Sequence, residues 1–156
     1  MPDLAGLDHE AHVERAIALA REAGERGDGP YGSLLVVDGD VVMEETNREW
    51  TDDDIALHPE LTLARRAARE LTAEERDRAV MYTSTEPCPM CSGGITISNL
   101  GAVVYSVSGE RAAAEFGGNE GVPCGEVFER RGRDIEVVGG VLESEGLDVH
   151  REFRDA

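Results

Sequence analysis

The residues with the clearest chemistry are two cysteines and a histidine. Cys88-Pro89-Met90-Cys91 sets two thiols at i and i+3 at a predicted helix start. Both side chains then lie on one helix face and can hold one ion. The positive end of the helix dipole favours thiolate, the form a metal needs. Taken alone, a Cys-x-x-Cys pair is as readily a redox couple or two core cysteines. His58-Pro59-Glu60 stands at a second predicted helix start, with a strand between it and the cysteines. Alone, His58 reads as a surface or capping residue, and Glu60 as an acid attracted to a helix N-terminus. Together the motifs supply one imidazole and two thiolates, one ligand short of a closed tetrahedral zinc. A catalytic zinc keeps that open position for water.

The order His-x-Glu…Pro-Cys-x-x-Cys is the signature of zinc deaminases, and Pro87 completes it. One Zn2+ per chain, held by His58, Cys88 and Cys91, lowers the pKa of its water to ~7 and makes it a nucleophile near neutrality. The attack falls on a ring carbon that bears an amino group. The ring nitrogen must gain a proton, and ammonia must leave with one. Glu60 is therefore read as the general acid and base, not as a ligand.

In these residues the chain resembles the cytidine deaminase-like superfamily. Within it, the chain is most similar to the nucleobase and nucleoside deaminase branch of guanine deaminase, cytosine deaminase and the tRNA adenosine deaminases. The resemblance runs from about Pro30 to Val107. It is strongest in His58-Pro59-Glu60 and from Tyr82 to Cys91. It implies a three-layer α/β/α sandwich with a five-stranded mixed sheet, zinc at the starts of two neighbouring helices, and a homodimer. The substrate it implies is a small aminated base, nucleoside or related heterocycle, with guanine or an aminopurine first and cytosine next. A tRNA adenosine-to-inosine deaminase shares the same motif and is the main alternative.

In relatives an Asn closing the second strand holds the substrate ring, and Asn47 takes that place here, where it otherwise reads as a turn residue. Trp50 either caps the pocket or packs, and Glu86 is the third candidate substrate contact. Pro59 departs from the family, in which the residue between His and Glu usually carries an N–H; proline has none. Beyond Val107 the candidates are Glu110, Glu115, Phe116, Glu120 and Cys124, each acid reading first as a solvated surface group in a chain this acidic. Cys124 is either a small buried hydrophobe or a fourth ligand, which would make the chain a structural zinc module. His9, His12 and His150 read as surface residues of the first and last helices.

The elements that must position these groups follow from periodicity and caps. Asp8 caps a helix that ends near Arg26 at Gly27-Asp28-Gly29-Pro30. Leu34–Val37 and Val41–Glu45, joined at Asp38-Gly39, form a hairpin. Residues 47–54 are a polar loop. A helix opens at His58 with Leu61, Ala64, Ala68 and Leu71 on its buried face, and Thr72-x-x-Glu75 is a capping box for a short helix. Strands follow at Val80–Thr85 and Ala102–Val107, with helices through about Ser98 and over Gly109–Phe116. Residues 117–125 read as a loop, Ile135–Val141 as a last strand and Glu143–Phe153 as a terminal helix. Strands alternating with helices place the chain in the α/β class as one domain over residues 1–156.

Composition narrows the partners. Thirty-three acidic residues face 15 basic ones, for a net charge of -18, and every basic residue is arginine. A field this negative repels polyanions and disfavours nucleic acid. It also suits concentrated salt, where the repulsion is screened. No apolar run reaches the ~18 residues of a membrane span. No secretory layout opens the chain, so a cytoplasmic enzyme is expected. Three cysteines leave no closed disulfide framework.

Overall fold

Leu34 and Val36 pack into one apolar cluster, Leu35 and Val37 into another, and all four are buried. A strand apolar on both faces must be covered on both. The computed structural model of the protein, which describes residues 1–119 and 121–154, has this layered arrangement. Glu120 lies outside the described residues.

Five strands form one sheet in the order β2-β1-β3-β4-β5: β1 (Gly32–Val37), β2 (Asp40–Thr46), β3 (Val80–Thr85), β4 (Ala102–Val107) and β5 (Glu136–Val138). β1 pairs antiparallel with β2 and β3, while β3, β4 and β5 run parallel. The sheet is thus mixed, as expected. The hairpin turns at Asp38 and Gly39, both at positive φ.

One face is covered by α1 (His9–Arg26) and α7 (Glu143–Arg154) through Val13, Ala16, Ala20 and Val149 against Leu34, Tyr82 and Val104. Gly32 lets α1 approach this closely, because a Cβ there would meet Ala20 N at 2.4 Å. The other face carries α2 (Pro59–Glu70), α4 (Pro89–Ser98) and α6 (Cys124–Arg130), which bury Leu63, Ile95 and Phe128 against Leu35, Met81 and Val103. The short α3 (Ala73–Asp77) follows α2, and α5 (Gly109–Phe116) follows β4. Asp8 caps α1, and the Thr72–Glu75 capping box opens α3.

Four expectations are corrected. The buried face of α2 is Glu60, Leu63, Ala64 and Ala67, while Ala68 is exposed. Turning Glu60 inward sets the whole i, i+3, i+4 seam. Helix α6 replaces the end of the loop read over residues 117–125. The last strand keeps only Glu136–Val138. His150 is buried, and His9 and His12 are half-buried against Tyr82, whose hydroxyl lies 2.8 Å from His9 Nδ1.

Candidate active site

Two helix starts meet beside the ends of β1 and β3. His58 and Cys88 are the N-cap residues of α2 and α4, and each precedes a proline at the first helical position. A residue before proline is pushed into extended backbone, and the proline ring presets the first helical φ. Both N-caps adopt that extended conformation, and neither side chain caps its own helix. The imidazole and the thiol are thereby left for another partner. Gly94 lets the helices approach closely, since a Cβ there would meet Leu61 Cδ1 at 2.6 Å.

His58 Nδ1 lies 3.5 Å from Cys91 Sγ and 3.7 Å from Cys88 Sγ, and the two sulfurs are 3.6 Å apart. A tetrahedral zinc with Zn–S ~2.3 Å and Zn–N ~2.0 Å separates its donors by roughly 3.5–3.8 Å. The donor set and spacing fit zinc, with three protein ligands and one position left over. Among the described residues, the metal-type donors that lie together are His58, Cys88 and Cys91. Cys124 is fully buried in the apolar cluster with Phe128. It does not close the site as a fourth ligand, so the structural zinc module is overturned.

The three groups already share charge. The hydrogen bond with the Cys91 thiol, aided by His58, lowers the Cys88 pKa to about 4. The same pair pushes Cys91 upward, with burial adding to it. Its contact with Cys88 raises His58 to about 9. A cation among them favours both thiolates and the neutral imidazole, so zinc uptake releases protons.

Glu60, one residue beyond Pro59, is 6% exposed, and its carboxylate is not one of the clustered donors. Burial first, and the nearby Cys88 charge second, raise its pKa to about 7. A carboxyl poised near neutrality can both take and return a proton. Its near partner is Ser33 Oγ at 3.3 Å.

A cavity of about 930 Å3 opens over this cluster and is bordered by His58, Glu60, Asn47, Trp50, Glu86 and Phe116, among others. Asn47 is buried; its amide donates to Gly29 O and its Oδ1 accepts from Glu49 N. Trp50 borders the cavity but is 66% exposed, so it stands at the rim unpacked. Glu86 borders the cavity. Both of its oxygens accept backbone N–H groups, from Gly109 at 2.9 Å and Cys124 at 3.0 Å. It ties down the starts of α5 and α6, and α5 borders the cavity.

Four residues near the site carried no signal in the sequence. Asp28, read only as part of a helix stop, has a fully buried side chain that accepts from Trp50 N, Thr51 N, Thr51 Oγ1 and Arg26 Nε. Glu49 Oε2 lies 3.1 Å from His58 Nε2. Ser33 reaches Glu60, and His150 Nε2 lies 2.8 Å from Thr85 Oγ1 at the end of β3.

Residues 7–107 match the family model for the cytidine and deoxycytidylate deaminase zinc-binding region. Guanine deaminase of Bacillus subtilis (strain 168) is 39% identical over 108 residues, 69% of each chain. The tRNA-specific adenosine deaminase of the same organism is 31% identical over 137 residues, covering 87% of this chain and 82% of that one. A solved structure of guanine deaminase from Nitrosomonas europaea superposes with a TM-score of 0.78 over 100% of this chain and 87% of that one, at 21% identity.

Proposed function

The chain belongs to the cytidine and deoxycytidylate deaminase zinc-binding family and is a zinc-type deaminase, a hydrolase of C–N bonds, and within that family we propose that it deaminates a small aminated nucleobase, nucleoside or related heterocycle, guanine or another aminopurine before cytosine. The observation that carries this reading is the charge of the cavity. Among its described lining residues are five carboxylates, Asp28, Glu49, Glu60, Glu86 and Glu115, against one arginine, Arg154. That wall suits an uncharged base rich in N–H donors and opposes a polyanion. Its volume is that of a small-molecule site. The 39% identity to a guanine deaminase supports the choice of guanine.

Bound zinc supplies the Lewis acidity that makes hydroxide available from water near neutral pH. His58, Cys88 and Cys91 hold it. Glu60 takes the proton of the attacking water, passes it to the ring nitrogen, and delivers one to the departing amine. Asn47 holds the ring, and Trp50 lies over the mouth. Pro59 offers no N–H at the position between ligand and base, so recognition of the ring falls to other groups. Glu86 holds the wall. The homodimer is part of this reading, and sedimentation at molar salt tests it.

The second reading is deamination of an adenosine in tRNA, favoured by the match to a tRNA-specific deaminase over most of both chains. The deciding experiment is ammonia release at high salt from a panel of bases, nucleosides and whole tRNA, with Glu60→Gln as the control. Release from guanine, lost in Glu60→Gln while zinc stays bound, is the expected result. Release from tRNA alone would replace the first reading with the second.

A further inference from the structure

We propose that Glu49 is a positioning residue for the metal site: it holds the His58 ring in the tautomer and orientation that present Nδ1 to zinc. The inference rests on His58 being a zinc ligand. Both sulfurs lie within 3.7 Å of Nδ1, so Nδ1 is the metal-facing nitrogen. A neutral imidazole that ligates through Nδ1 carries its single proton on Nε2. Glu49 Oε2 stands 3.1 Å from that nitrogen and is the acceptor that proton requires. A carboxylate behind a ligating histidine fixes the tautomer and strengthens the ligand.

The chain around Glu49 is built to keep it there. Residues 47–57 contain no helix or strand, and an irregular surface segment of that length is ordinarily mobile. Here Asn47 Oδ1 accepts the N–H of Glu49 itself at 3.0 Å. On the other flank, Asp28 accepts the N–H groups of Trp50 and Thr51 at 3.0 and 2.9 Å and the Thr51 hydroxyl at 2.8 Å. Arg26, 2.9 Å from Asp28, balances its charge. Arg48 N donates to Leu57 O, which closes the segment next to His58. Glu49 is thus pinned on both sides, and the pin runs from the end of α1 to the zinc ligand. Asn47, read as a substrate contact, takes on a second task as one half of this clamp.

Glu49 also borders the cavity, so direct contact with substrate is the competing role, and a measurement without substrate separates the two. Zinc affinity of the purified full chain is measured by competition with a chromophoric chelator for wild type, Glu49→Gln and Glu49→Ala. Metal-free thermal melts of Glu49→Gln, which keeps the shape, report folding. The expected result is one zinc per wild-type chain, a loss of affinity of about 10- to 100-fold for Glu49→Ala, a smaller loss for Glu49→Gln, and a shift of the Co2+ ligand-field bands in both. Unchanged zinc affinity and Co2+ spectrum with a raised KM would overturn the proposal in favour of substrate contact. A wild type that binds no zinc would overturn the ligand reading of His58, and this inference with it.

Discussion

Ser33 Oγ lies 3.3 Å from Glu60 Oε1, inside β1 and out of reach of solvent. On its other side Thr83 Oγ1 is 2.7 Å away, and Thr83 is in turn 3.1 Å from Thr85 O. A hydroxyl both donates and accepts, so this chain serves either state of the carboxyl. When Glu60 is ionised, Ser33 donates to it and Thr83 donates to Ser33. When Glu60 is protonated, it donates to Ser33, Ser33 to Thr83, and Thr83 to Thr85 O. Rotation of two hydroxyls accompanies the proton.

Ser33→Ala removes that partner without touching the cavity. A hydrogen bond to a charged group contributes about 1.5–3 kcal/mol, and the 3.3 Å length points to the lower end. Steady-state ammonia release is expected to show kcat reduced roughly 10-fold, with KM and zinc content unchanged. A change in KM alone would mean that Ser33 serves binding.

His150 supplies a pH dependence of stability. Burial lowers its pKa from 6.5 to about 4, and the Arg154 charge adds to the effect. The unfolded chain binds a proton near pH 6.5 that the folded chain refuses until about pH 4. The stabilising contribution is therefore complete above pH 6.5 and is lost as pH falls from 6.5 to 4. It amounts to about 3 kcal/mol. Chemical unfolding from pH 7 to 4 is expected to show a shallower decline for His150→Gln than for wild type, because that side chain does not titrate. Parallel curves would show that His150 takes up its proton in the folded state.

Glu86→Ala leaves the N–H groups of Gly109 and Cys124 without their acceptor. Losing two charge-assisted bonds costs about 3 kcal/mol. In a domain of this size that lowers Tm by roughly 6–12 °C. Because α5 borders the cavity, KM is expected to rise more than kcat falls. Scanning calorimetry and steady-state kinetics on the same preparation check both effects.

Cys124→Ser places a hydroxyl among Leu35, Ile95 and Phe128 and is expected to destabilise the fold by about 1–3 kcal/mol. Zinc is expected to stay at one per chain. Metal analysis of the folded variant distinguishes this outcome from ligation by Cys124, which predicts loss of the ion.

The metal triad and Glu60 were legible in the sequence because their information is local. Cys88 and Cys91 are one helical turn apart, Pro59 and Pro89 mark the first helical positions, and the residue before each proline is forced into extended backbone. The caps at Asp8 and Thr72 and the short β-prone runs of β1 and β3 were legible for the same reason. The groups that support the site were not. Thr85 meets His150 across 65 residues, Ser33 meets Glu60 across 27, and Glu86 meets Cys124 across 38. A lone polar residue in an acidic chain carries no periodic signal, so Glu49 read as part of a polar loop, Asp28 as part of a helix stop and His150 as a surface residue. The sequence by itself determined the fold class, the metal donors and the acid that follows the ligand histidine. Only the tertiary structure decided which acid faces the imidazole, which one clamps the wall and which histidine is shut away from water, because those roles depend on burial and on partners distant in the chain.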